Sequence, residues 1–225
     1  MKQLIFFVII VFLFACSTAE IEQEQNTSLT ESENTELDST SIKNSEDSQV
    51  NSPNSNQRIA ASNKEFLTFY EKFSTAISKK NATNFNECMD SNFGLYVIES
   101  PGALPIISKV YDISKFKSKN NNNNFFELAF NNISSTPIFD ELPKVVCEET
   151  IYDKNGCFAS SINALQESQL LNYSDLNEKE IQAITKLASL VNLTVINTNN
   201  YTFYFSFIEN KWSISFIDLR IPCQA

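Results

Sequence analysis

Two runs of alternating residues, Phe203-Tyr204-Phe205-Ser206-Phe207 and Lys211-Trp212-Ser213-Ile214-Ser215-Phe216, flank the dipeptide Glu209-Asn210. Alternation of apolar and more polar side chains marks a half-buried strand, and two such runs around a two-residue turn make a hairpin. With Glu209-Asn210 at the turn, Phe207 faces Trp212, Phe205 faces Ile214 and Phe203 faces Phe216. Tyr204, Ser206, Ser213 and Ser215 then share the opposite face. A slip of one residue would put the rings in water, so the register is strongly specified. The aromatic face needs a cover of helices or a second sheet, and the other face is expected to look outward.

The stretch before this hairpin supplies the cover. Phe66, Phe69, Tyr70, Phe73, Ala76 and Ile77 recur at helical spacing behind a capping box, Ser62-Asn63-Lys64-Glu65. They predict a helix to Ile77, closed by Lys79-Lys80-Asn81 with cations at its negative end. Residues 84–89 read as a second helix, 93–98 as a strand, 104–111 as a third short helix and 115–124 as a basic, Asn-rich loop. Residues 144–152 read as a strand and 153–156 as a turn, with Cys157-Phe158-Ala159 starting the return. Asn177-Glu178-Lys179-Glu180 opens another helix with Ile181, Ile184, Leu187, Ala188 and Val191 along one face, before a strand over 193–197. Helices followed by a strand meander describe an α+β domain in which a curved antiparallel sheet wraps N-terminal helices.

The first residues have another character. Behind Lys2, residues 4–14 are an unbroken apolar run of about 11 residues, the length of a signal-peptide core and short of the ~20 that span a bilayer. The run ends in Leu13-Phe14-Ala15-Cys16, which resembles the bacterial lipobox, with Phe14 standing where a small residue is usual. The resemblance implies that residues 1–15 are a lipoprotein signal peptide and that Cys16 begins the mature chain and carries acyl chains. Two or more such chains hold a soluble domain on a membrane. The implied partner is a bacterial cell membrane or outer membrane, with the domain facing the periplasm or the exterior. Ser17-Thr18-Ala19 also has small residues at the right places, so ordinary signal cleavage remains an alternative.

Residues 16–62 lack aromatic side chains and carry nine acids against Lys43 and Arg58, a local charge of −7 out of the chain's −10. Such a segment cannot bury enough apolar surface to offset its ordering entropy, and it is expected to be a disordered acidic tether. A flexible coil of roughly 46 residues spans about 40 Å. The folded domain is placed at residues 63–225.

What the chain lacks narrows its chemistry. Without histidine there is no Ser-His-Asp triad, no Cys-His dyad and no imidazole metal site. Three glycines, Gly94, Gly102 and Gly156, make neither a phosphate-cradling loop nor a dinucleotide fingerprint. The acidic balance disfavours nucleic acid, and no cofactor or metal is expected. Asp218 is expected on the aromatic face opposite Tyr201, where an apolar cone formed with Phe203, Phe205 and Trp212 would make it a candidate general base. Arg220, two residues on, offers a simple ion pair instead.

Beyond Cys16, the cysteines Cys88, Cys147, Cys157 and Cys223 are even in number and suit an oxidising compartment. A turn near residues 154–156 leaves Cys147 and Cys157 on the order of 15 Å apart, beyond the ~7 Å limit for a bridge. The preferred pairing is Cys147–Cys223 with Cys88–Cys157, as structural staples.

The segment Phe66-Leu67-Thr68-Phe69-Tyr70-Glu71-Lys72-Phe73, with Tyr201-Thr202-Phe203-Tyr204-Phe205 and Lys211-Trp212-Ser213-Ile214, resembles the NTF2-like (cystatin-like α+β) superfamily over about residues 63–225. That superfamily includes isomerases, dehydratases and non-catalytic binding domains, so the resemblance leaves function open. The expectation is a lipid-anchored, non-enzymatic envelope module that binds a small ligand or an envelope protein. Its rivals are an acid–base enzyme using Asp218 and a purely structural envelope component. A deep open cone reaching Asp218 would favour the enzyme, and a cone filled by Phe203, Phe205 and Trp212 the other two.

Overall fold

The computed structural model describes residues 55–174 and 176–223, with side chains described from Ser62 onward. The apolar run, Cys16 and most of the expected tether lie outside the described residues. Helix α1 (Ser55–Ser78) begins ahead of the Ser62 capping box. Gln57, Arg58, Ala60 and Ala61 are strong helix formers and no Gly or Pro follows until Gly94, so propensity carries the helix back through the cap signal. It ends where Lys80 turns left-handed (φ 53°), letting the Asn81 N–H reach the Ala76 carbonyl at 2.9 Å.

Helix α2 (Ala82–Asn86) is capped by Asn81, and strands β1 (Leu95–Glu99) and β2 (Ile106–Val110) follow as an antiparallel pair. The third short helix expected over 104–111 is thus a strand. Its β-branched Ile106, Ile107 and Val110 pack on the pleated surface of β1, and that tertiary pairing outweighs a helical reading of so short a run. Gly94 sits at φ 71° with the Val110 carbonyl 2.8 Å from where a Cβ would be, so no other residue fits there.

Single 3-10 turns at Ile113–Lys115 and Phe125–Glu127 lead to the two-residue strand β3 (Ile138–Phe139) and to β4 (Cys157–Ser160). Helix α3 (Ala164–Glu167), a 3-10 turn (Leu170–Tyr173) and helix α4 (Glu178–Ala188) come next, α4 opened by the Asn177–Glu180 capping box. The chain closes with β5 (Val191–Asn197), β6 (Thr202–Ile208) and β7 (Lys211–Asp218). The strands form one open seven-stranded sheet in the order β2-β1-β7-β6-β5-β4-β3. The sheet is mixed rather than purely antiparallel, because β1 runs parallel to β7 and β3 parallel to β4. Both parallel contacts join segments linked by long connections, as parallel pairing requires.

Residues 144–152 do not form the expected strand. They make one isolated bridge, Val145 to Tyr152, and the partner of β4 is β5, through Cys157 opposite Asn197. Val145 and Val146 are exposed and only Ile151 and Tyr152 are half-buried, so little apolar surface holds this excursion against the sheet. A disulfide between Cys147 and Cys223 holds it instead, with Cα atoms 5.6 Å apart.

Both faces of the sheet are covered, which corrects the expectation of an outward face. On one side Phe66, Tyr70 and Phe73 of α1 meet Phe203, Phe205 and Trp212. Phe66 lies 5.1 Å from Phe205 and 5.0 Å from Trp212, and Phe73 5.4 Å from Phe203. On the other side Leu165, Leu170, Leu171, Ile184 and Leu187 cover Tyr96, Ile98, Tyr204 and Phe216. The segment between β4 and β5 supplies this second layer, so Tyr204, Ser206, Ser213 and Ser215 are buried. The Ser215 and Ser206 hydroxyls bond each other at 2.8 Å, which limits the cost of burying them.

A carboxylate stitches α2 to the turn after β2. Asp112 Oδ1 accepts from Asn86 Nδ2 (2.9 Å), Ser114 Oγ (2.8 Å) and the Ser114 N–H (3.0 Å), while Asn86 Oδ1 accepts from the Ile113 N–H (2.9 Å). The Asn86 and Ser114 hydrogen bonds hold the Asp112 carboxyl below the usual range. Its stabilising contribution is therefore present above the unfolded-state pKa and disappears as pH falls through the lower folded value. Asp112→Asn should lower stability at pH 7, and the gap to the parent should close in acid. Urea unfolding across pH 7 to 3 measures that gap; a constant gap would contradict the assignment.

Candidate functional site

The four residues expected to line a cone are not brought together. The turn and the first pairs of the terminal hairpin match their expected register, with Phe207 opposite Trp212 and Phe205 opposite Ile214. Ser215 is then an extra residue in β7, so Tyr204, not Phe203, opposes Phe216, and Phe203 opposes Ile217. A bulge reverses which side later residues take. Asp218 lands opposite Thr202 rather than Tyr201, on the Tyr204–Phe216 face and away from Phe203, Phe205 and Trp212.

On that far face Asp218 is held by Arg220. Arg220 Nε donates to Oδ1 at 2.8 Å, a terminal guanidinium nitrogen to Oδ2 at 2.7 Å and the Arg220 N–H to Oδ1 at 3.0 Å. Both oxygens are taken in a bidentate pair, an arrangement that fixes a strand end and sets the carboxylate against a permanent cation. Burial, with Asp218 adding to it, pushes the Tyr204 hydroxyl far above its usual range. Phe203 and Phe205 are fully buried against α1 and fill the interior, the arrangement that favours the binding or structural readings over the enzyme.

The remaining cysteines are not bonded to each other, which corrects the Cys88–Cys157 pairing. The Cys88 carbonyl accepts from Ile214 of β7, whereas Cys157 lies on β4, three strand spacings or about 14 Å across the sheet. Cys88 Sγ donates to the Asn84 carbonyl (3.4 Å), and Cys157 Sγ lies 3.7 Å from the Tyr70 hydroxyl. Burial pushes each thiol up to about 11, so both stay protonated and unreactive at neutral pH.

An open concavity lies elsewhere on the α1 face, at the tip of the β6–β7 hairpin. It measures about 670 Å³ and lies between Ser62 and Asn63 of α1, Phe139 of β3 and the following Asp140, Ser160 and Ser161 at the end of β4, and Asn192, Phe207 and Trp212. The aromatic alternation of β6 places Phe207 beyond the reach of Phe66. Its ring packs on Trp212 at 5.2 Å and is still 41 % exposed. Trp212 is 8 % exposed, and its indole N–H is one of the few buried polar groups without a partner among the described residues. A bulge between Val191 and Leu193 sets Asn192 aside from the ladder, and its Oδ1 accepts the Phe207 N–H at 2.7 Å. That bond leaves its amide N–H₂ as the end able to donate. Asp140 is the single charge in the lining. The Glu141 N–H and the Lys154 ammonium, 3.2 Å away, hold its carboxyl below the usual range.

Sequence reasoning reached Trp212 but not the rest of this groove. Phe139, Ser160 and Asn192 are far apart in the chain, and only the strand order beside α1 unites them. The one available signal was Phe207, an aromatic residue carried past the end of the α1 stripe. Among the described residues no three acidic or thiol side chains cluster as a metal would need, and no helix is long and apolar enough to cross a membrane. No family model, no curated protein and no solved structure matches the chain.

Proposed function

We propose that this chain is a lipid-anchored bacterial envelope protein whose domain is a binding module, taking a small neutral ligand in the groove at the hairpin tip. The observation that carries the binding reading is the groove itself. A 670 Å³ concavity falls within the usual span of ligand sites, and it sets Phe139, Phe207 and Trp212 against amide and hydroxyl groups. Apolar area supplies affinity and the few polar groups supply orientation. No cation lines the groove, so a neutral ligand suits it better than an anion.

The anchor comes from the apolar run and Cys16, and the NTF2-like identity of the fold is part of the same proposal. It is supported by α1 lying first among the described residues and packing on the aromatic face of the β5–β6–β7 meander. An acid–base enzyme built on Asp218 is the weaker reading, because that carboxylate is tied to Arg220 on the far face. A structural envelope component remains the third.

The chain has one tryptophan and it lines the groove, so tryptophan fluorescence responds to binding there. Titration with N-phenylnaphthylamine, a neutral apolar probe, should quench Trp212 with saturable one-to-one binding. Phe207→Ser should weaken that binding about tenfold, the effect of losing one aromatic contact of ~1–2 kcal/mol. Linear, non-saturating quenching that is the same in the variant would defeat the groove assignment.

A further inference from the structure

The basic loop singled out in the sequence has a built geometry. Between the turn at Ile113–Lys115 and Asn120, alternate residues take opposite sides: Phe116 and Ser118 are buried, while Lys115, Lys117 and Lys119 are exposed. Glu99, at the end of β1 and almost wholly buried, fixes this alternation. Its carboxylate accepts from Ser118 Oγ at 2.6 Å, and both its oxygens accept from the Lys119 N–H at 3.2 and 3.0 Å. Backbone bonds from Ser118 N–H to the Asn123 carbonyl and from Asn122 N–H to the Ser118 carbonyl close the loop. The three lysines are thus held outward by a buried acid.

Lys109 joins them from the neighbouring strand. Its ammonium lies 4.8 Å from the centre of the Tyr111 ring and 5.3 Å from that of Tyr96. Lys109, Lys115, Lys117, Lys119 and the exposed Tyr111 border one shallow basin of about 390 Å³. None of the four ammonium groups lies within ion-pair distance of a carboxylate among the described residues. Asp112, the one acid in the basin, is occupied by Asn86 and Ser114. Asp112 keeps its charge, so the basin holds four cations against one carboxylate, and a positive excess on a chain of net charge −10 is not accounted for by solubility, which the acids already supply.

We infer that this lysine basin docks the domain on anionic lipid headgroups. A phosphate-rich surface complements the charge, and an exposed tyrosine among lysines is an amphipathic pair suited to the boundary between headgroups and water. A long tether between Cys16 and the domain would leave the domain free to turn this side to the bilayer and would raise its local concentration there. The inference takes its setting from the membrane reading above, but the basin is measurable apart from the anchor.

The test uses the full chain carrying Cys16→Ala, so that acyl chains are absent, and flotation with vesicles. Neutral phosphatidylcholine vesicles read whatever the apolar run at residues 4–14 binds by itself. Vesicles with one third phosphatidylglycerol should bind more tightly, and the gain should vanish in 0.5 M NaCl. Replacing Lys109, Lys115, Lys117 and Lys119 together by Ala should weaken the anionic-vesicle component by about a hundredfold or more, at roughly fivefold per lysine. Replacing all four by Arg should keep it. Equal binding to both vesicle types, or an unchanged alanine variant, would overturn the inference. Cell fractionation of Cys16→Ala reads the anchor separately, so failure of one does not entail failure of the other.

Discussion

Phe205→Ala is expected to cost about 3–5 kcal/mol of folding stability, the range for an aromatic ring removed from a core that cannot collapse. Phe205 has no exposed surface and is the ring on which α1 closes: Phe66, Phe69, Tyr70 and Phe73 stand 5.1, 5.9, 6.0 and 5.4 Å from it. These neighbours belong to one rigid helix, so truncation leaves a hole and not a repacked interface. A domain of this size has a total stability of roughly 5–15 kcal/mol, so the loss is a large share of it. Denaturant titration of parent and variant measures the effect. A cost under about 1 kcal/mol would mean that α1 does not sit on the sheet as described.

The disulfide is expected to matter as much, for a different reason. Cys147 and Cys223 are 76 residues apart in sequence, and a closed loop of that length removes denatured-state entropy worth about 4 kcal/mol at 25 °C. Little else holds residues 144–152, whose valines are exposed and whose ladder is one bridge. Cys147→Ser with Cys223→Ser should therefore lower the denaturation midpoint sharply. It should also open the excursion to protease before the sheet unfolds. Cys88→Ser should leave the effect of a reductant unchanged, since that thiol is unbonded.

These two cases show what the sequence carried and where it stopped. Alternation located the terminal hairpin and the helical stripe of α1, because each pattern is set by residues close together and by one buried face. It misread residues 104–111 and 144–152, where the runs are short and a neighbouring strand, or its absence, decides. The bulge at Ser215 is the instructive miss. Nothing in Trp212-Ser213-Ile214-Ser215-Phe216 announces an extra residue, yet it moves Asp218 from the aromatic face to the opposite one. With it goes the basis for a general base in a cone. The second helical layer was visible as the stripe from Ile181 to Ala188. Val191, expected on the same helix face, instead begins β5, and the layer's place over the Tyr204 face follows from chain connection, not from period. The groove was legible only through Trp212 and Phe207, as its other walls meet through strand order alone.

Lysine alternation at residues 115–119 was readable as a basic loop, while its buried organiser, Glu99, was not. A lone acid on a strand gives no hint that a loop some twenty residues on will supply its donors.

The account rests on the idea that the domain works while held at a membrane by its first mature residue. Intact-mass spectrometry of the protein recovered from its own cells tests this most directly. The predicted result is a chain beginning at Cys16 and heavier than its sequence by two or three acyl chains, with Cys16→Ala moving from the membrane to the soluble fraction. An unmodified chain beginning at Glu20 would contradict it.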